Sequence, residues 1–233
     1  MTIDWRDVRV LTFDCYGTII DWEAGIIGAL MPVFVRHGVA ADADGALRQF
    51  AAHEHDAEAP GRPYRAVLAE VLRRIGLDLG FTPSAAECDD FGSSVVRWPP
   101  FADSAGALRR LGARFDLVVL SNVDDDLFSG SAAQLPGVTF AHVVTAQQVG
   151  SYKPNPAHFH EGLRRIGRPM HEIVHVAQSL FHDHSPAKQL GFRTVWINRR
   201  GDDGSGGATP AASVTPDLEL PDLAALADLV GGS

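Results

Sequence analysis

Four short runs of this chain carry apolar residues on both faces: V-R-V-L-T-F at 8–13, F-D-L-V-V-L at 115–120, I-V-H-V-A at 173–177 and T-V-W-I at 194–197. A strand with one wet face alternates apolar and polar residues. Runs that do not alternate, separated by helical segments, predict a parallel sheet covered on both sides and built from βαβ crossovers. Each run ends in small or polar residues: Asp14, Ser121-Asn122, Gln178-Ser179 and Asn198. In open α/β sheets ligands bind beyond the carboxyl ends of the strands, so these polar ends mark the expected site.

The stretch 23–98 has helical periodicity and no comparable strand. One helix is expected around A-L-R-Q-F-A-A-H-E-H-D, and a second through Y-R-A-V-L-A-E-V-L-R-R-I, stopping before Gly76. A third is expected to start at Thr82-Pro83, with threonine as N-cap and proline in the first turn. Trp98-Pro99-Pro100 then sets a stiff boundary, because the residue before proline is pushed out of the helical region. The reading is therefore an α/β core over 1–22 and 99–233 with a helical insertion over 23–98. Segment 200–216, rich in Gly, Ser, Ala and Thr, reads as an exposed connection ahead of a last strand and helix.

Composition narrows the choice of partner. The 233 residues are 45% hydrophobic and 21% charged, which suits one globular unit with a sizeable core. A formal net charge of −9 argues against nucleic acid, which calls for a basic patch. Two cysteines, Cys15 and Cys88, give no disulfide framework and suit a reducing cytoplasm. The opening M-T-I-D-W-R-D lacks the apolar segment of a secretory signal. The longest apolar run, from Ala24 to Val35, contains Pro32 and falls short of the ~20 residues of a membrane span. A cytoplasmic protein without membrane or nucleic-acid partners is expected.

Candidate chemistry falls on separate strand ends. Asp14 follows the first run and Ser121-Asn122 the second; Lys153 lies in G-S-Y-K-P-N-P and Asp183 in V-A-Q-S-L-F-H-D-H. Lysine is rare in this chain, with Lys188 the only other, so Lys153 is not routine surface charge. An ammonium beside Asp14 would hold it ionised as a nucleophile. Ser121 and Asn122 could donate hydrogen bonds to a substrate or leaving group, and Asp183 could orient or deprotonate water.

The order D-x-x-G-T, S-N, K-P and an acid after V-x-x-S resembles the haloacid dehalogenase superfamily over nearly the whole chain. Within it, F-D-C-Y-G-T-I-I-D-W and G-S-Y-K-P-N-P resemble the type II 2-haloacid dehalogenases. The resemblance implies a Rossmann-like core, a helical cap and Asp14 as nucleophile, with Lys153 and Asp183 as its catalytic partners. Phosphatases of the superfamily place a second aspartate two residues after the nucleophile, where this chain has Tyr16. Its ordinary pKa near ~10 makes it a poor acid, and a departing halide needs none. They also hold Mg²⁺ partly through an aspartate where Gln178 stands, a weaker ligand for a hard cation. The resemblance therefore implies metal-independent hydrolysis of short 2-haloalkanoic acids through an aspartyl ester, with no cofactor. Thr18, Ser121, Asn122, Ser179 and Tyr16 would line the substrate. Arg48, in A-L-R-Q-F-A-A, would hold the substrate carboxylate, with Arg36 and Arg65 as competitors. Dimerisation is a family tendency.

The chain departs from that pattern at three places. Phe159 stands where a tyrosine is typical, beside the substrate, and the final motif has Gln178 and Leu180 in place of a serine and an asparagine. The same displacement could therefore act on another small carboxylate, such as azetidine-2-carboxylate, or the fold could serve a small-acid-binding protein. Plainer readings stand beside these. Asp183 could cap a helix before S-P-A-K-Q-L. The pairs His53/His55, His158/His160 and His182/His184 read as solvated or capping histidines rather than chelates, because helical residues two apart do not share a face. Asp124-Asp125-Asp126 reads as the acidic first turn of a helix, and Cys15 as a core residue pointing away from Asp14.

Overall fold

A computed structural model describes residues 3–201 and 212–232. Among them, six strands form one parallel sheet in the order β3-β2-β1-β4-β5-β6. They are β1 (Val10–Phe13), β2 (Asp116–Ser121), β3 (His142–Thr145), β4 (Ile173–Ala177), β5 (Arg193–Ile197) and β6 (Leu218–Leu220). The four non-alternating runs become β1, β2, β4 and β5, whose apolar residues are buried on both faces. The last strand and helix also appear, as β6 and the Leu223–Gly231 helix. Most of the connection ahead of them, 202–211, lies outside the described residues. The fold is α/β and Rossmann-like. Its strand order reverses between β1 and β4, the place where such sheets open a crevice.

β3 is an addition to the sequence reading. Its four residues sit at the sheet edge with the first two half-exposed, so the run is too short and too mixed to signal burial.

Four helices stand between β1 and β2 in the stretch that reads as an insertion: α1 (Trp22–Arg36), α2 (Ala43–Ala57), α3 (Tyr64–Leu79) and α4 (Ala85–Ser93). Two expected boundaries move. α3 runs through Gly76 and ends at Gly80, which adopts φ 76°. Gly76 is a packing glycine, since a Cβ there would lie 2.6 Å from the Phe81 carbonyl oxygen as the chain turns back. α4 is capped by Ser84, not Thr82. The Ser84 hydroxyl accepts from Glu87 N–H while the Glu87 carboxylate accepts from Ser84 N–H, so both ends of a capping box are made.

The remaining α-helices follow in chain order: α5 (Ser104–Gly112), α6 (Asp125–Ala133), α7 (Ala146–Val149), α8 (Ala157–Ile166), α9 (Ser185–Gln189) and α10 (Leu223–Gly231). A π-helical turn, Leu180–His184, precedes α9. Asp125 and Asp126 form the first turn of α6 as expected, but Asp124 serves a different helix. Its buried carboxylate accepts from Tyr64 N–H at 2.8 Å and Arg65 N–H at 3.1 Å, capping α3 from the core side. That bond fixes Tyr64 over the carboxyl end of the sheet.

The histidine reading also changes. His158 and His184 are fully buried, and their Nε2 atoms bond the carbonyls of Ser121 and Ala177 at the ends of β2 and β4. Burial lowers them to about 3 and about 4, so both are neutral. They brace strand ends instead of facing solvent. Cys15 is buried in the core, as expected.

Candidate active site

Asp14 leaves β1 still in sheet register, its N–H donating to the Val176 carbonyl at 3.1 Å. The chain then turns at Gly17, whose φ of 95° excludes most side chains; a Cβ there would stand 3.2 Å from Gln178 Oε1 and from Trp22 Nε1. The turn brings Thr18 back onto the nucleophile candidate. The Thr18 hydroxyl donates to Asp14 Oδ2 at 2.9 Å and accepts from Gln178 N–H at 2.9 Å, joining the ends of β1 and β4.

Lys153 arrives from the far side of β2. Asn122 holds its backbone at both ends, accepting from Lys153 N–H at 2.7 Å and donating to its carbonyl at 3.1 Å. The ammonium then donates to Asp14 Oδ1 at 2.9 Å, Asp183 Oδ1 at 2.7 Å and the Leu120 carbonyl at 2.8 Å. Lys153 and Asp183 are each 1% exposed and Asp14 6%. Asp183 is not a helix cap: it sits inside the π-helical turn and also accepts from His175 Nε2 at 3.1 Å. His175 Nδ1 meets the Thr12 hydroxyl at 2.9 Å, so a buried polar chain runs Thr12–His175–Asp183–Lys153–Asp14.

Electrostatics gives these groups different roles. Burial raises the Asp14 carboxyl, as does the nearby Asp183 charge, while Lys153 and Thr18 oppose the rise. Asp183 is buried too, but Lys153 and His175 outweigh that burial and hold it well below the ordinary carboxylate range. Two acids raise Lys153 against its own burial, so it stays an ammonium. One firmly ionised acid, one fixed cation and one more basic carboxylate suit a nucleophile beside a water-orienting group.

Residues of α1, of α2 and its end, and of α3 supply the opposite wall. Trp22, Glu54, Glu58 and Tyr64 close over Asp14 and Lys153, leaving a cavity of about 50 Å³. The Tyr64 hydroxyl donates to Glu54 Oε1 at 2.7 Å. Burial pushes Glu54 up to about 7, and burial beside Glu54 pushes Glu58 up to about 9.

Of the residues singled out from the sequence, Asp14, Tyr16, Asn122, Lys153, Ser179 and Asp183 line this cavity, and Thr18 contacts Asp14 directly. The Tyr16 hydroxyl meets Ser131 Oγ at 3.0 Å, and burial drives its pKa far above the ordinary phenol value. Three residues stand elsewhere. Ser121 Oγ is buried and has no partner among the described residues. Phe159 packs in the core against His175 and Phe192, with ring centroids 5.0 and 5.4 Å apart, so it shapes the site only through His175. Arg48 is exposed, and its guanidinium lies back over Gly45 in the first turn of α2, whereas the pocket-facing residues come from the other end of that helix.

The sequence reading missed Glu54, Glu58, Tyr64, His175 and His182. For Glu54 a signal existed: it continues the apolar stripe of α2 through Leu47 and Phe50, and a glutamate on a buried stripe is a functional hint. His175 likewise interrupts the apolar run of β4. Among the described residues, His55, Glu58 and His182 have donor atoms within 4.8 Å of one another, the one set of three that could hold a metal ion. It joins residues from two elements that sequence spacing does not relate.

Known proteins are similar to this chain over most of its length. The chain is 25% identical to "Haloacetate dehalogenase H-2" of Moraxella sp. (strain B), over 97% of this chain and 99% of the relative. It is 28% identical to an "(S)-2-haloacid dehalogenase" of Pseudomonas sp. (strain YL), over 67% of this chain and 64% of that one. Its fold matches the L-2-haloacid dehalogenase of Xanthobacter autotrophicus, solved with chloropropionic acid covalently bound. There the TM-score is 0.80 at 21% identity, covering 97% of this chain and 99% of the other. The family model described as haloacid dehalogenase-like hydrolase matches residues 8–191, and this chain belongs to that family.

Proposed function

We propose that this protein displaces halide from short 2-haloalkanoic acids, with Asp14 as nucleophile and no metal ion. One observation carries the reading: a buried carboxylate held at 2.9 Å by Lys153, with Tyr16 where a leaving-group acid would otherwise stand. Tyr16 is bound to Ser131 and stripped of acidity, so the site suits a leaving group that departs without a proton. The small cavity fits a two- or three-carbon substrate.

In the proposed first step an Asp14 oxygen bonds the α-carbon from the side opposite the halogen, and the carbon–halogen bond breaks, its electron pair leaving with the halogen as halide. Water then adds to the Asp14 carboxyl carbon, and the bond from that carbon to the ester oxygen breaks, so the hydroxylated product leaves with the original Asp14 oxygen while the water oxygen stays on Asp14. Asp183, fixed by Lys153 and His175, accepts a hydrogen bond from that water and orients it; one water proton passes to the departing product oxygen and the other is released as Asp14 returns to the carboxylate. The ammonium bridges the two acids, and position 178 offers a neutral amide, so the donor set does not favour a divalent cation. The names of the relatives supply haloacetate and 2-haloacids as first substrates to try.

The decisive measurement is one turnover of chloro- or fluoroacetate in ¹⁸O-water with chelator present. Halide release with label in the peptide carrying Asp14 is expected. Unlabelled Asp14, or turnover only of a phosphate ester with Mg²⁺, sinks the proposal. Arg48→Ala is expected to change KM by less than about twofold, because an exposed side chain away from the site contributes little. Steady-state halide release reads that value.

A further inference from the structure

Two histidines far apart in the chain meet at the rim of the active-site cavity. His55 lies near the end of α2, and Glu58, three positions on and on the same face, caps that helix. His182 comes from the π-helical turn after β4. The ligand atoms of these three residues all lie within 4.8 Å of one another, and His55 Nδ1 stands 3.9 Å from Glu58 Oε2. Zinc bonds of ~2.0–2.2 Å place tetrahedral donors ~3.3 Å apart, a spacing within reach of side-chain rotation here. Glu58 and His182 line the cavity over Asp14, while the His55 side chain is 52% exposed, so the set runs from the cavity to solvent.

The surroundings suit a cation held by these groups. Ser179 Oγ meets His182 Nδ1 at 3.1 Å and accepts from the His182 N–H at 2.9 Å, which fixes the ring and leaves Nε2 for a ligand bond. Phe181 packs against both rings, with centroids 5.7 and 5.0 Å away, and backs the set with an apolar face. Four acids and one lysine line the cavity, so a cation brings charge of the complementary sign. Two imidazoles and one carboxylate favour zinc over magnesium, which prefers an all-oxygen shell. The ion must displace a proton that burial keeps on Glu58, and micromolar rather than nanomolar affinity follows.

We infer that a zinc-class ion binds His55, Glu58 and His182 and ties α2 to the π-helical turn, holding the cavity shut over Asp14. The ion stands outside the displacement chemistry, which uses Asp14, Lys153 and Asp183 without it. Asp14 is 6% exposed, so a substrate reaches it only when the elements above it part, and the ion links two of the elements that enclose it. Bound metal is therefore inhibitory, and that consequence alone rests on the displacement reading.

Untagged protein stripped by chelator is titrated with ZnCl₂ and with MgCl₂ by calorimetry, and the thermal midpoint is followed in parallel. One Zn²⁺ per chain is expected, bound at least about a hundredfold tighter than Mg²⁺ and raising the midpoint by several degrees at saturation. His55→Ala and His182→Gln, one change in each element, are each expected to weaken Zn²⁺ at least about tenfold and to abolish the rise in midpoint. Saturating Zn²⁺ is expected to slow halide release from chloroacetate at least about tenfold in wild type, and the same concentration to spare His55→Ala. Absence of Zn²⁺ binding, binding retained by either variant, or halide release undiminished by bound Zn²⁺ overturns the inference. If metal-free wild type releases no halide from any haloacid, the displacement reading fails. The dependence of Zn²⁺ binding and midpoint on both histidines then decides the inference by itself.

Discussion

Asp14→Asn is expected to lower turnover by at least ~10⁴-fold, the scale seen when a nucleophile that acts as part of a unit is removed. The amide keeps the shape of the carboxylate, and its oxygen can still accept from Lys153 or Thr18. Lys153 also retains Asp183 as a charged partner at 2.7 Å, so no cation is left unpaired. The fold therefore survives, and a thermal midpoint within a few degrees of wild type should accompany the lost activity. The pH profile of the wild-type enzyme checks the same assignment. Asp14 must be ionised to attack, and burial raises its pKa. The acid limb of kcat/KM should therefore fall at a pH above the ordinary carboxylate value near ~4. An active Asp14→Asn variant, or a limb at or below that value, contradicts the role given to this residue.

Lys153→Met has the larger effect on stability. It leaves Asp14 and Asp183 buried side by side without the cation between them, a change worth about 3–5 kcal/mol when one partner of a buried charge set is removed. The sign with pH follows from the acids. Without Lys153 both carboxyls take a proton more readily in the folded state than in the unfolded chain. The native state then loses stability as pH rises through and above the unfolded carboxylate range near ~4. Unfolding midpoints at pH 5 and pH 8 should diverge in the variant, with pH 8 lower, and by more than in wild type. A pH-independent loss would show that the lysine matters chiefly for packing.

How far the chain could be read without coordinates differs by level. The non-alternating runs identified the four inner strands because burial on both faces leaves no freedom to place polar residues. The strand-end residues Asp14 and Asn122 were legible for a related reason: a polar group that closes an apolar strand has few structural uses. Lys153, which follows α7, and Asp183, inside the π-helical turn after β4, do not close strands, and their sequence motifs marked them instead. Helix ends were read less well. Gly76 suggested a stop, yet it serves close packing against Phe81, and Thr82 suggested a cap that Ser84 provides with Glu87. Both choices depend on the path of the neighbouring chain, which local propensity does not contain.

The sequence by itself determined the α/β fold and its four inner strands, because burial on both faces leaves those strands one place to go. The tertiary structure alone decided what faces Asp14 and Lys153. Only packing of α2 against α1 and α3 sets Glu54 and Glu58 at the cavity and leaves Arg48 at the other end of the helix. Only Asp124, reaching across from the core to α3, sets Tyr64 above the nucleophile. Contacts between segments some 40 to 130 residues apart depend on the relative placement of whole elements, and no local pattern of residues encodes that placement.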